Sequence, residues 1–563
     1  MTANSVKNQV HPSIKEHLNK NGLVTDNEIN LFLNPMLKDL PSPFLMKDME
    51  KAADLVMEAI SEKAEITIWG DYDVDGISGT ALLILFFWKF NLTVNFHIPN
   101  RLTEGYGLNK QKIHDISERS NSKKLLITVD CGISNHEEVR YAQSLGFKVI
   151  VTDHHNLPDT PVDADAVLNP KQVLCEFPFK ELSGVGVAFY FATALRSKIR
   201  DNKIINPVIY EPNMKPFMAL VLLGTIADVV PLVGVNRILA KAGMESLACS
   251  SVDGIAALFD EIGISRSSLN AETISFQIAP VINAAGRLGE PVTALKALIS
   301  SGEEAKLFSR KLIALNSARK KIGIRDFEIA NDICSAFHSE AQKSIVIKGS
   351  FHDGLLGITA SRLVEKYNIP ALVCCDDGTG ENLKGSARAP DGFNLYEVIK
   401  SCSRFLLKFG GHQAAAGFSL KSEYFDEFRK AIHNSSQLEY LNKPNNNSII
   451  NSKILNLSVS EAFNPDLLTN LLQLEPLGEG NPKPVFIDKE VGFVTLKHFG
   501  KNREHIRGMI RGKYKNVPFI GFNVGDRFTR EADTNCFSVK YSHMLDTYNN
   551  NSSWKLRIEN AWR

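Results

Sequence analysis

The sequence predicts an α/β protein of several units: an N-terminal helical segment (1–64), a parallel-sheet domain (65–290), a connecting helix (291–338), a second α/β domain (339–445) and a small C-terminal β-barrel (446–563). Three observations predict it. Short apolar runs between Glu65 and Asp228 stop at polar or acidic residues and alternate with helix-like stretches, the pattern of βαβ units. From Pro291 to His338 the chain is rich in Ala, Leu, Lys, Arg and Glu, with two glycines as its breakers, which reads as one or two long helices. The C-terminal stretch consists of short strand-like runs separated by turn residues, with almost no helical pattern.

In chain order, the first strand candidates are EITIW, KKLLITV, FKVIVT and MALVLLGTIA. A parallel sheet places its functional crevice beyond the carboxyl ends of the strands, where the acidic residues that close these runs fall. The second α/β unit runs from SIVIKGSFHDG through ALVCCDDG to the glycine-rich FGGHQAAAGF. The polar EYLNKPNNNSIINS, residues 439–452, reads as a linker to the barrel.

Composition narrows the class. A chain of 563 residues exceeds one ordinary core of ~100–200 residues, and its 44% hydrophobic and 23% charged residues are those of a globular protein. A net charge of +1 excludes a uniformly basic coat while permitting a local basic groove. The eight cysteines are scattered without C-x-x-C spacing, and Cys374 and Cys375, at the end of an apolar run, are expected to be buried thiols. The opening residues lack the apolar core of a secretory signal, and ALLILFFWKF is too short to span a bilayer core of ~30 Å, so a cytoplasmic protein without membrane contact is expected.

The chemistry concentrates at the ends of the apolar runs. Gly70-Asp71-Tyr72-Asp73-Val74-Asp75-Gly76 follows a predicted strand and precedes a helix-like run, so it forms a tight turn bearing three carboxylates. Carboxylates so crowded repel one another and are tolerated mainly when a divalent cation neutralises them. A solvated acidic turn is the plain alternative. A calcium loop is disfavoured, because the glutamate required after Asp75 falls at Leu82. Three further clusters change the balance: Thr128-Val129-Asp130-Cys131-Gly132, Thr152-Asp153-His154-His155 and Gly224-Thr225-Ile226-Ala227-Asp228. Each alone is explained by helix capping or a structural His pair. Together they bring Asp and His to one sheet edge, a mixture that suits Mn²⁺ or Mg²⁺ better than structural zinc.

DYDVDG, VDCG, TDHH and GTIAD, in this order, resemble the four motifs of the DHH phosphoesterase superfamily. FLNPMLKDLPSPFLMKDMEKA, IPNRLTEGYGL, GTIADVVPLVGVNR, INAAGRL, FHDGLLGITASRL, GSARAPDGFNL and GGHQAAAGFSL are similar to blocks of its RecJ branch. LEPLGEGNPKPVF resembles the start of that branch's OB-fold, and the likeness covers nearly the whole chain from about residue 30. The resemblance implies a DHH domain, a connecting helix, a DHHA1 domain and an OB-fold.

It also implies a metal-dependent exonuclease that hydrolyses single-stranded DNA from the 5′ end in repair and recombination, using Mn²⁺ or Mg²⁺ and two ions. Asp73, Asp75, Asp130, His154 and Asp228 match the metal ligands, with Asp130 bridging, and His155 sits near the scissile phosphate. Other branches carry a His where this chain has Trp69, a position for which Asp71 compensates or at which one ion is held more weakly. Arg101, Ser386, Arg388 and His412 match positions that hold phosphates, with Asn283, Arg287 and Arg362 as supporting contacts. Val281 stands where the branch commonly has Arg, which removes one phosphate contact. The basic, aromatic-interleaved KHFGKNREHIRGMIRGKYKN, residues 497–516, is a candidate single-strand surface, against the plain reading of a solvated hairpin.

The implied chemistry is in-line attack of an activated water on phosphorus without a covalent protein intermediate. The implied partners are single-stranded DNA, a helicase and a single-strand-binding protein, with the chain itself a monomer. Two other readings are weighed. A small-substrate DHH phosphodiesterase or pyrophosphatase is generally shorter and lacks the OB-fold. A non-catalytic DNA-binding scaffold would have lost its metal ligands, whereas every expected Asp and His is present here.

Overall fold

A computed structural model describes residues 10–562 apart from 120–121, 203–211, 250–251, 267–268, 338–342, 436–453, 514, 529–536 and 549–550. The expected linker at 439–452 lies outside the described residues. The first sheet contains β1 (Glu65–Gly70), β2 (Asn95–His97), β3 (Lys124–Val129), β4 (Phe147–Thr152) and β5 (Ala166–Leu168), in the order β2-β1-β3-β4-β5. All pairings are parallel. Continuous Ile, Leu and Val runs suit such strands because helices cover both faces. The helix Val74–Trp88 is buried almost all round, which explains why ALLILFFWKF is apolar without being a membrane span. Among the described residues no helix is long and apolar enough to cross a membrane.

MALVLLGTIA is not a strand. It forms the fully buried helix Met218–Ala227. A short continuous apolar run does not reveal its period, and Met, Ala and Leu favour helix once both sides are buried. Asp228 therefore arrives at the crevice from a helix C-terminus rather than from a strand end.

The helices Pro291–Ile299 and Gly302–Phe337 lead to the second sheet. This comprises β6 (Ile345–Lys348), β7 (Ala371–Asp376), β8 (Asn382–Arg388), β9 (Leu406–Gly411) and β10 (Ala415–Lys421), in the order β6-β7-β8-β10-β9. Only β6 and β7 pair in parallel. Its faces are covered separately: Ile345 and Ile347 join Ala330, Leu356 and Leu363, whereas Val346 and Leu372 join Phe425, Phe428 and Ile432. Cys374 and Cys375 are buried in β7.

The C-terminal sheet has seven strands: β11 (Leu455–Asn456), β12 (Phe486–Val491), β13 (Phe493–Phe499), β14 (His505–Ile510), β15 (Val517–Gly521), β16 (Phe537–Tyr548) and β17 (Asn551–Trp562), in the order β11-β12-β16-β17-β15-β14-β13. It also holds a helix, Pro465–Leu474, capped by the Asn464 side chain. The N-terminal helices Pro12–Lys20 and Asp26–Leu33 share this core, with Ile14, Leu18, Ile29, Phe32 and Leu33 packed among Leu467, Leu474, Phe486 and Leu556. The next helix, Met49–Ser61, packs instead on the first sheet's core.

Arg237 ties these parts together. Its side chain is buried, and it donates to the carbonyls of Phe32 (2.6 Å), Leu474 (3.0 Å) and Gln473 (2.8 Å) while lying 3.9 Å from the Phe32 ring centroid. A cation at the end of the helix Pro465–Leu474 also satisfies carbonyls that the helix leaves open.

Candidate active site

The acidic turn between β1 and the helix Val74–Trp88 is built as its sequence predicts. Asp73 caps the helix, its Oδ1 accepting from the N–H groups of Asp75 (2.9 Å) and Gly76 (3.1 Å). Gly76 is required there, since a Cβ would stand 2.7 Å from Asp71 Cα. Asp75 is buried in the first turn, and its two oxygens accept from Gly184 N–H (2.6 Å) and Val185 N–H (2.9 Å) at the start of the helix Gly184–Asn202. That end of a helix favours a carboxylate. Gly184 also lets this helix approach Asp130, whose Cβ would lie 2.6 Å from an added side chain.

Asp130 follows β3 with φ 62°, a left-handed conformation uncommon outside glycine and often kept at functional sites. After β4, Asp153 accepts from Ile133 N–H (2.9 Å), His154 N–H (2.7 Å) and His155 N–H (3.1 Å), and bonds His155 Nδ1 at 2.7 Å. This fixes both histidines. The His155 side chain is 40% exposed, and its Nε2 has no partner among the described residues.

These groups converge. Asp71, Asp73 and Asp130 form one group with oxygens within 4.8 Å, Asp75, His154 and Asp228 form another, and Asp130 stands with His154 and His155 in a third. His154 Nε2 lies 3.2 Å from Asp130, 3.5 Å from Asp228 and 4.0 Å from Asp75. Buried Asp71 Oδ1, Asp130 Oδ1 and His154 Nε2 have no hydrogen-bond partner among the described residues.

Burial raises the carboxylate pKa values, with repulsion adding to it: Asp75 is pushed up to about 7 with Asp228 opposing it, Asp228 to about 7 with Asp73 opposing it, and Asp71 and Asp130 well above the usual range. Burial lowers His154, favouring the neutral ring that ligates metals. Acceptor atoms facing one another without donors fit divalent cations, and hard oxygens with one imidazole suit Mn²⁺ or Mg²⁺.

The Trp69 side chain is buried against His97, ring centroids 4.2 Å apart, and donates to Gly107 O at 3.1 Å, which braces the loop bearing Arg101. Asp71, rather than a histidine, completes the carboxylate group beside it.

Facing this cluster is a set of arginines. The Arg101 guanidinium lies 5.4 Å from the Tyr72 ring centroid. Arg287 donates to Gly354 O at 3.3 Å, bridging the two α/β units, and Arg388 donates to Ser386 Oγ (3.1 Å) and Ala387 O (2.8 Å). Arg362 donates to Gly323 O at 2.9 Å. Burial first, then Arg101, Arg319 and Arg388, pushes Arg287 down to about 10; burial and Arg362 lower Arg319. Among the described residues none of these five arginines pairs with a carboxylate, so their charge awaits an anion.

Not every expected residue points the same way. Asn283 uses its carboxamide oxygen to accept from Val74 N–H (3.2 Å), holding the acidic turn. Val281 is buried in the core of the first domain. His412 sits exposed in the β9–β10 turn, its N–H donating to Ala415 O (2.8 Å), beside the Ala415–Arg388 register pair, and its side chain has no partner among the described residues. Sequence reasoning passed over Asp153, Arg319 and Tyr106. Asp153 lies within the TDHH motif, while Tyr106, whose hydroxyl donates to Asp130 O at 3.1 Å, lies five residues after Arg101 in a loop whose path sequence does not show.

On the outer face of the barrel, Phe499, His505 and Phe522 rings stand 5.1–6.3 Å apart, with Arg507 over Phe499 at 5.5 Å and Arg557 over Phe522 at 5.9 Å. Arg557 lies 3.7 Å from Glu272 of the first domain. This aromatic and cationic face includes part of the basic run at 497–516.

A parallel sheet with an Asp and His cluster at its strand ends, joined by a long helix to a second α/β unit, defines the DHH class of proteins. Comparison with known proteins agrees: the DHH family N-terminal domain matches residues 65–225, the DHHA1 domain 341–436 and the RecJ OB domain 455–560. The single-stranded-DNA-specific exonuclease RecJ of Bacillus subtilis is 34% identical over 99% of this chain and 69% of its own length, and that of Haemophilus influenzae 32% identical over 94% and 92%. The crystal structure of Thermus thermophilus RecJ in complex with Mn²⁺ aligns with a TM-score of 0.75 at 28% identity, covering 94% of this chain and 73% of that one. The chain belongs to the RecJ family.

Proposed function

We propose that the protein is a metal-dependent exonuclease that degrades single-stranded DNA from its 5′ end, in repair and recombination. The observation that carries this reading is a converged carboxylate–imidazole cluster beside Arg101, Arg287, Arg319 and Arg388, which have no carboxylate partner among the described residues.

In this reading Asp71, Asp73 and Asp130 would hold one cation and Asp75, His154 and Asp228, together with Asp130, a second. Bound cations supply Lewis acidity, stabilising charge on phosphate oxygens and acidifying a water. The protein's own residues position the strand. Arg101, Arg287 and Arg388 grip phosphates bidentately, and a terminal phosphate, carrying more charge than an internal diester, draws the 5′ end in. His155, whose Nδ1 is held by Asp153 at 2.7 Å and whose side chain is partly exposed, would turn its Nε2 toward a phosphate oxygen. Farther along, the Phe499–His505–Phe522 face stacks bases that follow the end. The same reading has the chain act as a monomer in the cytoplasm, on strands that a helicase exposes and a single-strand-binding protein covers.

Digestion of 5′-labelled and 3′-labelled single strands, with and without Mn²⁺ or Mg²⁺, tests chemistry, polarity and cofactor together. Metal-dependent release of the 5′ label first is expected. Release from the 3′ end, or turnover confined to dinucleotides, would overturn the reading.

A further inference from the structure

The second sheet ends on β6, an edge strand. Its pairing with β7 uses Ile345 N–H, which donates to Pro370 O (2.8 Å), and the following Gly349 N–H donates to Cys374 O (3.1 Å). Alternate residues of a parallel strand turn their amide groups to the same side, so the N–H and C=O of Val346 and Lys348 face away from β7. They open into a groove of about 560 Å³ between Ile333 and Cys334 of the long helix and the helix Phe425–His433.

The groove is cationic. Among the described residues Lys348, Arg429, Lys430 and His433 line it, against one carboxylate, Asp426, which lies 3.3 Å from Arg429. Lys348 Nζ and the Arg429 guanidinium stand 4.7 Å and 6.0 Å from the Phe425 ring centroid. A lysine on an edge strand is an ordinary guard against aggregation. Two more cations and an imidazole on the flanking helix exceed that need. The groove lies at the opposite edge of the sheet from β9, whose turn carries His412.

We propose that this groove receives an extended acidic segment of a partner protein as an added strand on β6. Outward amide groups of an edge strand pair with any extended chain at a spacing of ~4.8 Å, while the cations select carboxylate side chains. Nucleic acid lacks the alternating amide donors and acceptors that the edge offers.

The test uses the full-length protein and a fluorescein-labelled peptide of alternating Asp and Val, with a control in which Lys replaces Asp. Saturable binding of the Asp peptide alone is expected, with hydrogen exchange slowed at the Val346 and Lys348 amides. The double variant Arg429→Glu/Lys430→Glu, and independently Lys348→Glu, should weaken that binding about tenfold or more. Single-strand digestion by these variants should not change. Equal binding of both peptides, binding without protection of β6, or displacement of the peptide by a short oligothymidylate would overturn the proposal.

Discussion

Removing divalent cations should destabilise the first domain progressively as pH rises from 5 to 7. Asp75 and Asp228 both move from 3.8 in the unfolded chain to about 7 in the metal-free fold, chiefly through burial. Because the folded values lie above the unfolded ones, the native state binds the proton more tightly. That stabilisation is fully present below about pH 4 and is lost as pH climbs through 7. A shift of about 3 units corresponds to ~4 kcal/mol. Burial acts on each group separately and only the repulsive part is shared, so the pair together costs at least on the order of 4 kcal/mol. For a domain of this size that is a fall of ~8–16 °C in midpoint. Cations bound among these residues would hold both carboxylates ionised, so the metal-loaded protein should lack this fall. The assay is thermal unfolding at pH 5 and 7.5, with chelator or Mn²⁺, for the wild type and Asp75→Asn. Identical pH dependence of metal-free wild type and Asp75→Asn would refute the reasoning.

Asp153→Asn removes the carboxylate that orients both histidines and turns an amide N–H toward a buried donor, so it should weaken Mn²⁺ binding or turnover ~10–100-fold and cost ~1–3 kcal/mol of stability, as titration calorimetry, rate measurements and thermal unfolding can show. Arg101→Ala should lose a charge-assisted contact of ~1.5–3 kcal/mol, cutting the rate preference for 5′-phosphorylated over 5′-hydroxyl strands by roughly an order of magnitude at subsaturating DNA. An unchanged ratio in both Arg101→Ala and Arg388→Ala would remove them from end recognition. Arg237→Met leaves the Phe32 carbonyl without its donor, at ~1–3 kcal/mol, while Gln473 O keeps Lys241 Nζ (3.1 Å) and Leu474 O keeps Asn481 Nδ2 (2.8 Å), so the C-terminal barrel should become modestly more protease-sensitive on warming than in the wild type.

The sequence made the catalytic crevice readable because each strand there is a continuous apolar run that ends on its own Asp or His. Asp71, Asp73, Asp75, Asp130 and His154 are candidates on that local pattern, and their roles rest on the resemblance to the DHH motifs. Asp228 was found by its motif although its helix was read as a strand, since a buried run of Met, Ala, Leu and Val carries no period. The arginine set was partly hidden. Arg319 lies on a helix where it resembles any solvated cation, and only the fold brings it near Arg287 and Arg362. The sharing of one core by Ile14, Phe32, Leu474 and Phe486 was illegible, because the contacts join opposite ends of the chain. Val229 is a similar case: its φ of 58° beside Asp228, costly for a β-branched residue, leaves no mark in the sequence.

The central claim, that the crevice holds two cations joined through Asp130, is tested most directly by anomalous scattering at the manganese edge from crystals grown with Mn²⁺. Two peaks ~3.5–4 Å apart are predicted, one among Asp71, Asp73 and Asp130 and the other among Asp75, Asp130, His154 and Asp228. A single peak, or peaks that do not touch Asp130, would contradict the account.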